Sequence, residues 1–164
     1  MEKEYKRIQH TFEPIFNKDS KVLILGSLPS VKSREEGFYY GHPQNRFWKV
    51  ISEIYETSLP ETIDEKIEML LNNNIAIWDV IHSCDIIGSS DSSIKNVIPN
   101  DLSKILNCCS IQNIYANGKT ASKLYKKYSE KNTSIKIIEL PSTSPANAIY
   151  TLNKLIEAWK VIKV

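Results

Sequence analysis

The chain has 164 residues, of which 41% are hydrophobic, and its 21 basic and 19 acidic side chains give a formal net charge of +2. This size and composition predict one compact domain over residues 1–164. The near-neutral charge excludes a nucleic-acid interface that depends on overall charge, so any DNA-binding face must come from local clustering.

The cysteines, histidines and apolar runs limit which cellular compartment and which cofactors are expected. The chain has three cysteines, two of them adjacent, and no evident secretory signal, so we expect a cytoplasmic protein without a disulfide framework. Iron–sulfur spacing is absent and the histidines lie far apart, so no cofactor or metal is expected. No apolar run approaches the roughly 20 residues that span a bilayer, so no membrane partner is expected, and a monomer is the default.

Four short apolar runs predict β-strands, and segments with helical periodicity lie between and after them. The predicted strands cover residues 21–26, 75–80, 111–116 and 134–140. Helices are predicted over residues 46–55, from about 60 to 71, 101–109, 118–128, and in a final helix whose apolar stripe includes Ile149. Residues 1–20 and 82–100 lack periodicity, and we interpret them as a polar lead-in and a long ordered loop.

The alternation of strands and helices predicts the fold class. We expect a three-layer α/β/α sandwich with a central, mostly parallel four-stranded sheet. In such sheets ligands bind beyond the carboxyl ends of the strands. The loops after the first, second and fourth predicted strands are therefore the places to look for a site.

The first of these loops has the sequence GSLPS and covers residues 26–30. Its glycine and proline permit a tight exit from the strand and bring backbone N–H groups to the surface. Because the pattern is common in strand-to-loop turns, it is weak evidence for function by itself.

Residues 37–48, GFYYGHPQNRFW, crowd aromatic and hydrogen-bonding groups into a loop before an amphipathic helix. Tyrosine rings can stack on bases, and carboxamides can read base edges or hold a water. A capped helix with Asn45 as N-cap explains Phe47 and Trp48 as core residues. It does not explain Tyr40 together with Asn45. His42 could bind a base, assist catalysis or be a buried hydrogen-bonding residue.

Residues 140–147, LPSTSPAN, form a stiff loop after the fourth predicted strand. Hydroxyls and N–H groups at the start of the following helix suit phosphate contacts. The alternative is a turn in which Ser144 caps that helix. The candidate DNA-binding residues of this loop are Pro141, Ser142, Thr143, Ser144, Pro145 and Asn147.

Taken in this order, GSLPS, HPQNRFW and LPSTSPAN resemble motifs of the uracil-DNA glycosylase superfamily, most closely its hypoxanthine-excising branch. A looser resemblance runs through WDVIHSC and GSSDSSI, so the matches cover most of the chain from Lys21 to Ala148. The resemblance implies a monofunctional enzyme that flips a deaminated base out of DNA and hydrolyses its N-glycosidic bond without a cofactor, and the hypoxanthine branch implies that this base is hypoxanthine.

Two positions depart from the wider superfamily. Leu28 stands where many relatives carry an Asp or Asn that positions the attacking water. Relatives in the hypoxanthine branch also lack that residue, and the resemblance implies that Asn45 is the catalytic residue instead. Ser144 and Pro145 stand where relatives that cut uracil often carry a histidine, which argues against efficient uracil release.

The other residues of the proposed site are assigned roles in the same base-flipping mechanism. Tyr40 is expected to stack under the flipped base, and backbone N–H groups of Gly26 and Ser27 to bind the base or a phosphate. The loop of residues 141–147 would press into the minor groove and hold the gap open. Four basic residues flank the proposed site and could contact phosphates: Lys32, Arg34, Arg46 and Lys119.

Several alternatives stay open at the level of sequence. Asp79 and Asp91 could orient the site or take part in base recognition, and Asp91 could instead cap a loop. The chain could also be a uracil or mixed-specificity glycosylase, or a non-catalytic nucleic-acid-binding module on the same scaffold.

Overall fold

The computed structural model describes residues 4–10 and 12–163. The strands are β1 (Lys6–Gln9), β2 (Val22–Gly26), β3 (Ile75–Asp79), β4 (Ile81–Ile86), β5 (Lys95–Pro99), β6 (Asn113–Asn117) and β7 (Ile137–Leu140). The helices are α1 (Val31–Glu36), α2 (Phe47–Ile54), α3 (Ile63–Asn72), α4 (Ser103–Leu106), α5 (Lys119–Tyr128), α6 (Glu130–Thr133) and α7 (Leu152–Trp159), with 3₁₀ turns at Asp91–Ser93 and Lys160–Ile162. No helix in these described ranges is long and apolar enough to cross a membrane.

The central sheet has four parallel strands in the order β3-β2-β6-β7. Every residue of β2 and β3 is buried, so both faces of the sheet are covered. This is the pattern of a parallel sheet whose strands are joined by helical crossovers. The predicted three-layer α/β/α fold around a mostly parallel four-stranded sheet is confirmed.

The helices pack on this sheet and on one another. α5 packs on β6 and β7, α3 packs on β3, and α2 packs against α7. Phe47 and Trp48 are buried at the start of α2, as the helical spacing of apolar residues predicts. Phe47 meets Trp159 of α7 edge to face, with 5.9 Å between ring centroids. This contact fixes the start of α2 against the final helix.

A second sheet, of three antiparallel strands in the order β1-β4-β5, corrects two predictions. Residues 82–100 are not a long loop, because they contain most of β4 and all of β5, and part of the predicted polar lead-in forms β1. Ile81, Cys84 and Ile86 form a small buried cluster on which Leu28 packs. Burial does not alternate regularly along β1, β4 or β5, and the pairing of β4 with β5 is irregular, so these strands lack the strict period of two that marks a strand in sequence.

The helix boundaries also differ from the predictions. α7 begins at Leu152, and the side chain of Thr151 caps it by accepting a hydrogen bond from the backbone N–H of Lys154. Ser144 is therefore not the cap of this helix. Ile149 precedes the helix and is 83% exposed, so it does not belong to the apolar stripe. α4 is shorter than predicted, and the short helix α1 was not predicted.

Candidate active site

The carboxyl ends of three parallel strands meet at one cavity of about 740 Å³. Gly26 ends β2, Asp79 ends β3 and Asn117 ends β6, and the loops after β2 and β7 contribute walls. An open parallel sheet binds its ligand at this edge, and the volume falls in the usual range for small-molecule sites. The cavity is therefore the candidate active site.

The structure brings most of the sequence-predicted site residues to this cavity. Those that line it are Gly26, Ser27, Tyr40, His42, Asn45, Ser142, Thr143, Ser144 and Pro145. Pro141 and Asn147 support the loop instead. The Pro141 carbonyl accepts a hydrogen bond from the Trp159 indole at 2.9 Å, and the Asn147 amide donates to the Ser142 carbonyl at 3.0 Å.

Asn45 lies where the loop before α2 meets the loop after β7. Its Oδ1 accepts hydrogen bonds from the backbone N–H of Phe47 at 2.9 Å and from the hydroxyl of Thr143 at 2.8 Å. Because a backbone N–H can only donate, the contact with Phe47 fixes which end of the amide is the oxygen. Oδ1 is thus occupied. The NH₂ group bonds to none of the described residues and is the end left for a water or ligand.

A buried relay through Thr143 sets the orientation of Asn45. Thr143 is 0% exposed, and its hydroxyl accepts a hydrogen bond from Asn117 Nδ2 at 3.0 Å. In return, the backbone N–H of Thr143 donates to Asn117 Oδ1 at 3.0 Å. The hydroxyl proton is then directed to Asn45. The sequence analysis did not identify Asn117 as a site residue. The feature that could have identified it is a polar residue at the end of an apolar strand.

Tyr40 forms an aromatic wall of the cavity. Its ring stacks on Phe47, with centroids 4.1 Å apart and planes 17° from parallel. Its φ of 53° lies in the left-handed region, which non-glycine residues rarely adopt without support from their surroundings. Burial, together with the nearby Asp79, raises the pKa of the Tyr40 hydroxyl well above its usual range. Tyr40 therefore offers ring surface and a neutral phenol, not a titrating group.

His42 lies in the turn that leads from Tyr40 to Asn45. Its Nδ1 accepts a hydrogen bond from the backbone N–H of Gln44 at 3.0 Å, and its carbonyl accepts one from the N–H of Asn45 at 2.9 Å. In the neutral ring, Nε2 is then the nitrogen that carries the proton. His42 is part exposed at the cavity, so it is not a buried structural histidine.

Arg46 is engaged by the loop after β7, which corrects the prediction that it contacts phosphate. Its side chain donates to four backbone carbonyls, those of Thr143, Ser144, Asn147 and Tyr150. The bonds to Ser144 and Asn147 are 2.9 and 3.0 Å long. With these donors used, the guanidinium holds the loop against the start of α2.

Asp79 is the buried acid of the cavity and is 3% exposed. Its Oδ2 lies 2.7 Å from Nε2 of His10, a residue 69 positions away for which the sequence indicated no partner. Gly26 lies beside the other carboxylate oxygen. A Cβ on Gly26 would lie 2.4 Å from Asp79 Oδ1, so only glycine fits at this strand end.

Basic side chains near the cavity differ in whether other protein groups already engage their charged ends. Lys32 and Lys119 line the cavity, and Lys32 makes only loose, exposed contacts with Glu35 and Glu36 at 3.7 and 3.6 Å. Arg34 donates to a backbone carbonyl, and burial lowers the pKa of its guanidinium. Within residues 4–10 and 12–163, no group of three or more His, Cys, Asp or Glu side chains could hold a metal ion.

These features define an α/β protein with a candidate ligand cavity at the carboxyl ends of its parallel strands. The chain belongs to the uracil-DNA glycosylase superfamily, because the family model described as "Uracil DNA glycosylase superfamily" matches residues 13–163. The resemblance drawn from the three sequence motifs is thereby confirmed.

Two curated relatives, both named hypoxanthine DNA glycosylase, come from Methanosarcina species. The Methanosarcina acetivorans protein is 31% identical over 157 residues, which cover 94% of this chain and 98% of that protein. The Methanosarcina barkeri protein is 36% identical over 86 residues, or 52% of this chain and 54% of that protein. A solution NMR structure of a Methanosarcina acetivorans protein has a TM-score of 0.80 and 29% identity, and the match covers 94% of this chain and 95% of that one.

Proposed function

We propose that this protein is a monofunctional DNA glycosylase that hydrolyses the N-glycosidic bond of hypoxanthine in deoxyinosine-containing DNA and leaves an abasic site. The observation that carries the proposal is the Asn45 amide, held by Thr143 at the wall of the cavity. The two relatives named hypoxanthine DNA glycosylase support the same base.

The base must leave the duplex before it can enter the cavity, since its glycosidic bond is not accessible inside a stacked helix. Extrusion costs a few kcal/mol. The cost is smallest for a poorly paired base, which favours a deaminated base over a normal one. One face of the Tyr40 ring is covered by Phe47. The opposite face of Tyr40 would stack on the flipped base.

The chemistry replaces the C1′–N9 bond by a C1′–O bond. The bond to N9 breaks first, and its electron pair leaves with the base, so that positive charge spreads over C1′ and the ring oxygen of the sugar. A water then adds to C1′ through its oxygen, and its proton passes to the departing base. Positioning and electrostatics matter more here than a strong nucleophile.

Asn45 would hold this water through its NH₂ group, which donates to the water oxygen. The Asn45 oxygen is not the end that holds the water, because Oδ1 already accepts two hydrogen bonds. Leu28, which packs on the small apolar cluster, can supply no polar group for the water. Asn45 is therefore the residue that we assign to water positioning.

The loop of residues 141–147 would press into the minor groove and keep the gap open after extrusion. Its stiffness supports this role, because Arg46 ties its carbonyls together and Trp159 holds its first residue. Lys32 and Lys119 are the basic residues that we assign to phosphate contacts.

Excision of inosine, uracil, xanthine and ethenoadenine from matched oligonucleotides, followed by alkaline cleavage, tests the proposal. Strand breaks at inosine, with much weaker breaks at uracil, are the expected result. Equal cleavage at uracil would favour mixed specificity, and binding without any cleavage would favour a non-catalytic module. Because Lys32 and Lys119 line the cavity, borohydride trapping is the check on monofunctional chemistry, and no covalent adduct is expected.

The oligomeric state, the domain content, the compartment and the partner are part of the same proposal. We propose that it acts as a monomer and as one domain in the cytoplasm, with DNA that contains a deaminated base as its partner. Light scattering on purified protein, with and without a short duplex, tests the oligomeric state. A dimer in either sample would contradict the monomer.

A further inference from the structure

Ser33 is a buried serine in the wall of the cavity, and the mechanism above does not use it. It lies in α1 and is 2% exposed. Its carbonyl accepts hydrogen bonds from the backbone N–H groups of Gly37 and Phe38, at 2.8 and 3.3 Å. Its hydroxyl oxygen accepts one from the backbone N–H of Gly41 at 3.0 Å. The loop that follows α1 is thus folded around this one residue.

Ser30, the last residue of the GSLPS loop, engages the same hydroxyl. It caps α1, because its own hydroxyl oxygen accepts a hydrogen bond from the backbone N–H of Ser33 at 3.1 Å. In return, the Ser30 hydroxyl donates its proton to the Ser33 hydroxyl oxygen, also at 3.1 Å. A hydroxyl oxygen has two lone pairs, and those of Ser33 are taken by Ser30 and Gly41. The Ser33 oxygen is therefore engaged in holding the loop and does not accept a bond from a ligand.

The loop held by Ser33 contains Tyr40, whose φ of 53° is left-handed. Such a conformation persists in a tyrosine only where surrounding contacts enforce it. The N–H of Gly41 belongs to the rigid peptide unit that follows Tyr40, so its hydrogen bond to Ser33 fixes the direction in which the chain leaves Tyr40. A Cβ on Gly41 would lie 3.0 Å from the Cβ of Glu36, so the loop also packs tightly on the end of α1.

The direction of the Tyr40 ring depends on this backbone conformation, because the rotamers open to a side chain are set by its φ and ψ. The ring lies against Phe47, which is 0% exposed and is held in turn by Trp159. Phe47 therefore supports one face of the ring, while Ser33 holds the backbone that carries it. The opposite face of the ring is left for the cavity, which Tyr40 lines.

We infer that Ser33 is a positioning residue for base stacking. Its hydroxyl holds Tyr40 in the left-handed conformation in which the ring presents its open face to the flipped base. Ser33 acts through Tyr40 and makes no contact with the base, and Ser30 orients the Ser33 hydroxyl. This inference rests on the proposed function, since it requires a base that stacks on Tyr40. It also gives the serine of the GSLPS loop a role that the loop sequence alone did not indicate.

A double-mutant cycle of Ser33→Ala with Tyr40→Ala tests this role, with single-turnover excision of hypoxanthine as the readout. Ser33→Ala removes the acceptor of the Gly41 N–H, and we expect excision to fall roughly tenfold, as for a hydrogen bond whose buried donor is left unpaired. In the Tyr40→Ala background the same change should alter excision less than about twofold, because no ring remains to be positioned. If Tyr40→Ala cuts too slowly to measure, affinities for a duplex with uncleavable 2′-fluoroarabino-inosine complete the cycle.

An equal loss in both backgrounds would overturn the inference, because Ser33 would then act on the ligand itself or on the fold. Unchanged excision in Ser33→Ala alone would also overturn it. Ser52→Ala is the matched control, since Ser52 is a buried serine of α2 whose hydroxyl donates to the carbonyl of Lys49 at 3.0 Å. It should weaken the fold to a similar degree and leave excision within about twofold of wild type. A loss as large as that of Ser33→Ala would show that reduced stability explains both.

Hydrogen exchange of single amides, followed by NMR on the DNA-free protein, tests the Ser33 contact without any excision. We expect the Gly41 amide to exchange roughly tenfold faster in Ser33→Ala than in wild type. The amides of Gly37 and Phe38 should keep their protection, because alanine retains the carbonyl to which they donate. Unchanged exchange at Gly41, or an equal rise at all three amides, would overturn the inference. Wild-type protein that cuts no inosine would instead refute the proposed function.

Discussion

The hydroxyl of Thr143 donates a hydrogen bond to Oδ1 of Asn45 at 2.8 Å, joining the loop after β7 to the segment before α2. Thr143 receives its own hydrogen bond from Asn117 at the end of β6. A chain of polar contacts therefore runs from the central sheet to the amide that we assign to water positioning. The direction of each bond is set by a group that can act in only one sense.

Asn45→Ala should abolish base excision and leave the fold and DNA binding largely intact. Loss of a group that positions a reactant costs roughly a hundredfold or more in rate. The lost bond to the backbone N–H of Phe47 resembles loss of a helix cap, which costs about 0.5–2 kcal/mol. The Thr143 hydroxyl also loses its acceptor, at a cost of about 1–3 kcal/mol, and the sum is still below the stability of a typical domain, so the variant should fold. Single-turnover release of hypoxanthine measures the effect.

Circular dichroism and a DNA-binding assay are the controls for Asn45→Ala, with Asn153→Ala as an exposed substitution on α7. Near-normal turnover in a folded Asn45→Ala protein would show that another residue positions the water. His42 would then be the next candidate, because its Nε2 is a donor at the same cavity.

Thr143→Val and Thr143→Ser separate the hydroxyl relay from packing. Valine keeps the shape but leaves the Asn45 oxygen and the Asn117 NH₂ without a shared partner, which should lower the free energy of unfolding by about 1–3 kcal/mol. We expect roughly tenfold slower excision in Thr143→Val, and rates close to wild type in Thr143→Ser. Equal rates in the two variants would mean that the relay does not control Asn45.

Arg46→Lys tests the scaffold of the DNA-binding loop. Lysine cannot reproduce the planar set of donors that meets four carbonyls, so the loop should loosen. We expect the free energy of unfolding to fall by about 1.5 kcal/mol or more. Hydrogen exchange should become faster in residues 141–147. Lys49→Arg, an exposed change on α2, should alter neither quantity.

Salt dependence tests the DNA substrate and the two cavity lysines. The logarithm of the affinity for DNA should fall linearly with the logarithm of salt concentration, by about 0.9 for each phosphate neutralised. Lys119→Ala should reduce the magnitude of the slope by about 1, whereas Lys126→Ala, at the far end of α5, should leave it unchanged. A flat dependence in the wild-type protein would count against a DNA substrate.

Local signals in the sequence were sufficient to predict the central sheet and the position of the candidate site. The four apolar runs are local signals, since strands buried on both faces consist of continuous hydrophobic residues. The site follows from these runs, because the polar segments that come after them must gather at one edge of a parallel sheet. Tyr40, Asn45 and the loop of residues 141–147 could therefore be assigned to one cavity without coordinates.

Which groups of these side chains are free to bind a ligand depends on contacts that form only in the folded chain. Asn45 and Arg46 are adjacent, yet one presents an unpaired NH₂ to the cavity and the other has its donors satisfied by loop carbonyls. The pairing of His10 with Asp79, and the antiparallel sheet that carries it, join segments far apart in the chain. Hydrogen bonds across such separations depend on where folding places each partner, so local periodicity and motif spacing carry no record of them.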